Sequence, residues 1–158
     1  MARIPENSTL RTSEKFQKRM IFLLSEQDLN RNEFAKAAGI NKEIVTRATV
    51  YGIVPSVKSL IKLADYLQVS ISYLLGENND DDFYLSENPS NFHKRLEQLA
   101  NENGVTYATV SNKMRFAKNS IYEWIRTGSL PSLEYAIELS EYFDVSIDYL
   151  LGRTDVKK

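Results

Sequence analysis

Cysteine is missing from the chain altogether, which excludes a disulfide framework and any cysteine-ligated metal site and makes a reducing cytoplasm the expected compartment. Histidine occurs once, at His93, too few for the usual metal-binding or acid–base constellations. Glycine (6) and proline (4) are scarce among 158 residues, so the composition is that of a folded chain and not a fibrous or low-complexity one. The longest unbroken apolar run, Met20 to Leu24, falls far short of a bilayer span, and the polar start Met-Ala-Arg-Ile-Pro-Glu has no signal-peptide core. Neither charge is in excess: 20 Lys and Arg stand against 21 Asp and Glu, a net −1 with a pI near 5.9. A polyanion therefore feels no overall attraction, and a nucleic-acid partner has to be argued from local charge.

What the chain does contain is a repeat. At an offset of 76, residues 16–76 lie over 92–152 without gaps, and 19 of the 61 aligned positions are identical. The match is tightest at the end of each copy, where VSISYLLG (Val69 to Gly76) faces VSIDYLLG (Val145 to Gly152). This divides the chain into a polar tail (1–15), a first domain (16–76), a linker (77–91), a second domain (92–152) and a tail (153–158). The linker carries five acids and no base and reads as solvated. Its length, up to roughly 50 Å extended, lets the two domains pack side by side or sit apart. The ends, 1–13 and 154–158, are expected to be mobile.

Within each copy apolar residues recur at three and four spacing, with no sustained alternation, which predicts an all-α fold of five helices per copy. Ser13 to Glu26 carries Phe16, Met20, Leu23 and Leu24 inward, and Asn91 to Asn103 does the same with Phe92, Leu96 and Leu99. Asn30 with Glu33 three residues on, and Thr106 in the second copy, mark second-helix starts. Gly39 ends that helix and Asn41 caps a third through about Val50; the second copy's third helix is expected from Ala117 to Arg126. Pro55-Ser56 and Pro131-Ser132 precede a fourth helix, and Ser70 and Ser146 a short fifth. Phe34, Val45, Leu63, Leu67, Ile121, Trp124, Leu139 and Phe143 are expected in the cores. Tyr73-Leu74-Leu75 and Tyr149-Leu150-Leu151 offer an expected contact surface through which the copies pack as an internal pseudo-dimer.

Asn30 to Arg47, with small Ala35 at a close helix crossing, Gly39 in the turn and Val45 on the buried side, resembles the helix-turn-helix of the Cro and lambda-repressor type, the xenobiotic-response-element family of bacterial and phage regulators. Thr106 to Glu123 repeats it, departing at Ser111 for Ala35 and Arg115 for Gly39, while Pro131-Ser-Leu-Glu and VSIDYLLGRTD follow the family closely. The resemblance implies a double-stranded DNA operator as partner. The third helix of each copy would enter the major groove, with the start of the second touching phosphate. The exposed readers would be Asn41, Lys42, Glu43, Thr46 and Arg47 in the first copy, and Lys118, Asn119, Ser120, Tyr122 and Glu123 in the second. Arg31, Tyr107 and Arg126 are candidates for backbone contact. Lys42 or Arg47 suits guanine, Asn119 adenine, and Glu43 or Glu123 cytosine. The competing reading of each is an ordinary solvated charged face.

Residues 92–128 carry Lys94, Arg95, Lys113, Arg115, Lys118 and Arg126 against Glu97, Glu102 and Glu123, a net +3, whereas the whole second copy is −2. A basic face and an acidic back are expected. The two recognition helices differ, so an imperfect or asymmetric operator is expected, bound either by one chain acting as an internal dimer or by a homodimer in which one copy serves assembly. A repressor is the favoured function. The alternatives are an accessory or architectural factor at a transfer origin or recombination site, and an antitoxin-like or anti-repressor protein-binding module. By resemblance alone, the GRTD ending suits regulators of Gram-positive phages and conjugative plasmids. No enzyme, metal or cofactor is expected: Asp80-Asp81-Asp82 lacks the rest of a calcium loop, and His93 reads as a surface or capping residue.

Overall fold

The computed structural model describes residues 11–158. Two compact units divide between Phe83 and Tyr84. The first contains α1 (Glu14–Glu26), α2 (Arg31–Ala38), α3 (Lys42–Tyr51), α4 (Val57–Leu67) and α5 (Ile71–Leu74). The second contains α6 (Phe92–Glu102), α7 (Tyr107–Asn112), α8 (Ser120–Thr127), α9 (Leu133–Tyr142) and α10 (Ile147–Leu150). Among the described residues the only β pairing is an isolated bridge between Thr12 and Ile53, and no helix is long and apolar enough to cross a membrane.

The helices begin where a short polar side chain can take up an orphan backbone N–H. Ser13, Asn30, Asn41, Ser56 and Ser70 each accept such a bond in the first unit, and Asn30 and Glu33 close a reciprocal capping box. Asn91, Thr106, Ser132 and Ser146 do so in the second. Phe16, Met20, Phe34, Val45, Leu60, Leu63 and Leu74 fill the first core, and Phe92, Leu96, Leu99, Ile121, Leu139 and Leu150 the second. Each contributes about 1.5–3 kcal/mol by leaving water. Leu67 and Trp124 are only half-buried; Trp124 lies edge-on to Phe92 (5.9 Å) and Phe116 (5.0 Å).

The segments expected to be loose are engaged. Arg11 and Ser13 exchange backbone bonds with Val54 and Gly52, so the first tail is held from residue 11 onward; residues 1–10 lie outside the described ones. The second half of the expected linker belongs to the second unit: Ser86 is buried and donates to the Arg153 carbonyl, and Ser90 donates to that of Gly152. Arg153 and Thr154 are buried as well, because Arg153 meets the Asp148 carboxylate and the Thr154 hydroxyl donates to the Tyr84 carbonyl. The tyrosine of each expected helix-five contact face is engaged within its own unit. Arg19 stacks over Tyr73 at 3.8 Å and Arg95 over Tyr149 at 3.9 Å, an arrangement that holds each short helix to the first helix of its own unit.

Ser111 is under-satisfied. Ser111 stands where the first copy has Ala35; it is 2% exposed, and its hydroxyl has no hydrogen-bond partner among the described residues. Ser111→Ala removes an uncompensated buried polar group, so it is expected to stabilise the second unit by about 1 kcal/mol. Urea unfolding followed by Trp124 fluorescence checks this, and an unchanged or earlier midpoint contradicts it.

Candidate nucleic-acid interface

In the first unit the helix-turn-helix is compact. Gly39 takes φ +74°, and its N–H bonds back to the end of α2, so that Asn41 can cap α3 after a turn of residues 39–41. The Lys62 ammonium donates to the Gly39 carbonyl at 3.3 Å and closes the turn from α4. Buried Ala35 permits the helices to approach, and Val45 and Ala48, both fully buried, fix which side of α3 faces inward. Lys42, Glu43 and Arg47 are thereby exposed and Thr46 half-buried, with Arg31 exposed at the head of α2. Neither Lys42 nor Arg47 has an ion-pair partner among the described residues. Asn41 is exposed but spends its side-chain oxygen on the Glu43 N–H at 2.9 Å. Arg47 also edges a shallow groove of about 210 Å³ with Ile44, Pro55, Ser56 and Ser59.

The second unit departs from this geometry where its sequence does. Arg115 replaces Gly39 and does not adopt positive φ, so α7 stops at Asn112, and α8 begins only at Ser120 instead of at the expected Ala117. The connection thus runs over 113–119. It is tied from α9 by Glu138, whose carboxylate accepts from the Arg115 N–H at 3.2 Å and lies 3.4 Å from its guanidinium. Lys118 and Asn119 consequently stand exposed in the turn ahead of α8 and not on its first helical turn, and the Asn119 side chain makes no cap bond. Ser120 is half-buried; Tyr122, Glu123 and Arg126 are exposed.

Two local pairs shape this surface. Arg126 donates to Glu123 at 2.6 Å across one helical turn. This bond holds the Glu123 carboxyl below its ordinary range and raises Arg126 in return, so the two largely satisfy each other. Tyr107, at the head of α7, meets Tyr122 edge to face at 6.0 Å. Burial, with smaller effects from Glu97 and Tyr122, raises the Tyr107 phenol, which keeps it a neutral donor.

The expected basic face loses one member, because Arg95 is 6% exposed: it lies over Tyr149, and Asp155 sits 3.3 Å away. Lys94, Lys113 and Lys118 remain exposed. Sequence reasoning passed over Ile125, which is 43% exposed on α8 although its counterpart Thr49 is buried; its i, i+3 spacing from Tyr122 carried the signal. His93 Nε2 donates to the Ser129 carbonyl at 2.9 Å, joining α6 to the segment after α8. Among the described residues no group of His, Asp and Glu is arranged to hold a metal ion.

Comparison with known proteins agrees with this geometry. The family model described as helix-turn-helix matches twice, over residues 21–74 and 96–150. The chain is similar to the HTH-type transcriptional regulator ImmR of Bacillus subtilis (strain 168), 31% identical over 65 residues, 41% of this chain and 51% of that protein. It is also similar to the uncharacterized HTH-type transcriptional regulator YobD of the same strain, 34% identical over 62 residues, 39% of this chain and 55% of that protein. The chain thus spans about half the length of the curated relatives it matches. No solved structure matches it. Two matches covering most of the chain, each laid over a five-helix unit, establish that the chain belongs to the helix-turn-helix family of the Cro and lambda-repressor type, with the fold present twice in tandem.

Proposed function

We propose that the chain is a sequence-specific DNA-binding transcriptional repressor that lays α3 and α8 in successive major grooves of an asymmetric operator. The observation that carries this is the pair of exposed and chemically unlike helix-three faces. Lys42, Glu43 and Arg47 stand exposed on α3, whereas the second unit presents Tyr122 on α8 with Lys118 and Asn119 in the turn just ahead of it. Free guanidinium and ammonium groups suit guanine edges and phosphate, whereas an amide beside a phenol suits adenine and thymine. Relatives that are named as transcriptional regulators support the DNA-binding role. A chain that carries both helices needs no second copy to span half-sites about one helical turn, roughly 34 Å, apart. Repression is favoured because occluding a promoter requires no activation surface.

Selection from random double-stranded DNA with the full chain, followed by footprinting and binding stoichiometry, tests the proposal. The expected result is one asymmetric site bound by one chain. On that site Arg47→Ala should weaken binding by about 5- to 150-fold, the discrimination carried by one good base contact of about 1–3 kcal/mol. A symmetric site holding two chains overturns the internal-dimer arrangement. No enrichment, with only weak and steeply salt-dependent binding, overturns sequence-specific DNA recognition in favour of a protein partner.

A further inference from the structure

The second unit's recognition helix carries an apolar face that the first lacks. Tyr122 is 54% and Ile125 43% exposed, and their spacing sets them on one side of α8. In the first unit the aligned residues are the half-buried Thr46 and the buried Thr49. The Tyr122 ring does not hang free: Tyr107, where the first unit has Arg31, meets it edge to face at 6.0 Å. Such a contact limits the side chain's torsions before any partner arrives, and so lowers the ordering cost of binding.

The surroundings of this face are cationic. Lys118 stands exposed just ahead of α8 and Arg126 exposed on it, while the one acid on the helix, Glu123, is bonded to Arg126 at 2.6 Å. An apolar ring set among cations suits a major groove, whose floor presents thymine C5-methyl groups and whose walls are phosphates. Resting on the DNA-binding reading above, we infer that Tyr122, braced by Tyr107, reads a thymine methyl in the half-site taken by α8. The two halves of the operator then differ in chemistry. The α3 half is read through hydrogen bonds from Lys42 and Arg47, and the α8 half partly through an apolar contact that ends at a methyl group.

Deoxyuridine differs from thymidine only by that methyl, so the test replaces each thymine of the selected site in turn and measures the affinity of the full chain. One position in the α8 half is expected to lose about fourfold, the value of one buried methyl-sized group. Tyr122→Phe should keep the distinction between thymine and uracil, whereas Tyr122→Ala should bind more weakly and no longer tell them apart. The inference is overturned if no position responds to methyl removal, or if Tyr122→Ala weakens thymine and uracil sites equally. It is also overturned if Tyr122→Ala leaves DNA binding unchanged and abolishes self-association in sedimentation, since the face then belongs to a second copy. A chain that selects no DNA site overturns both this inference and the reading beneath it. A methyl-insensitive site bound tightly overturns this inference alone.

Discussion

Asp148→Ala is expected to destabilise the second unit by about 3–5 kcal/mol, the cost of breaking a buried ion pair and leaving one charge behind. The Asp148 and Arg153 side chains are 4% and 3% exposed, and the guanidinium of one meets the carboxylate of the other. The Arg153 backbone N–H also bonds to the Asp148 carbonyl at 2.9 Å, which holds the main chain at this point. Trp124, the only tryptophan, sits in the second unit and reports its unfolding alone. The first unit is an internal control. Ser72 and Glu77 occupy the aligned positions, and they cannot form this pair. The tryptophan-detected urea midpoint should therefore fall steeply while the helical signal of the first unit persists. Arg153→Ala should cost a similar amount, and the double variant much less than the sum, because no lone buried charge remains. A loss below about 1 kcal/mol in either single variant would mean that the pair is solvated.

The helix starts were legible in the sequence because a cap is a local device: Asn30, Ser56, Thr106, Ser132 and Ser146 each act on a backbone N–H within three residues. So was the exposed side of α3, since Val45 fixes the inner face and the helical period does the rest. What the sequence hid was set at a distance. Arg115 for Gly39 announced an unusual turn, but its length depends on Glu138, 23 residues away on α9, and so Lys118 and Asn119 came to stand ahead of α8. Arg153 and Thr154 read as a polar tail because composition does not reveal that Asp148, apparently one more acid on the back of the unit, is the partner that draws the segment in. Arg95 was misjudged for the same reason, its charge being committed to Tyr149 and Asp155 and not to a basic face. The Glu123–Arg126 pair, by contrast, lay within reach of sequence reasoning through its i, i+3 spacing.

Gly152→Ala is expected to cost the second unit about 3 kcal/mol, of which roughly 1–2 kcal/mol is the left-handed backbone itself, at φ +80°, and the rest is collision. A Cβ built there would lie 2.3 Å from the Ser90 carbonyl carbon and 2.5 Å from the Asn91 nitrogen, both backbone atoms that no side-chain rotation can move aside. The Ser90 N–H donates to the Gly152 carbonyl at 2.9 Å, and the Asn91 side chain caps α6 by accepting from the Lys94 N–H at 2.9 Å. Pushing 90–91 away therefore strains a backbone bond and a helix cap together, each worth about 1 kcal/mol. Gly128 separates the two causes. Its φ is +72°, but a Cβ there meets nothing within 4 Å, so Gly128→Ala carries only the backbone cost of about 1 kcal/mol. The difference of about 2 kcal/mol between the variants, read from the Trp124 unfolding midpoints, measures how firmly the segment before α6 is held against the end of α10. Equal losses in the two would show that this segment moves aside freely and that the close approach at Gly152 contributes nothing to holding the unit together.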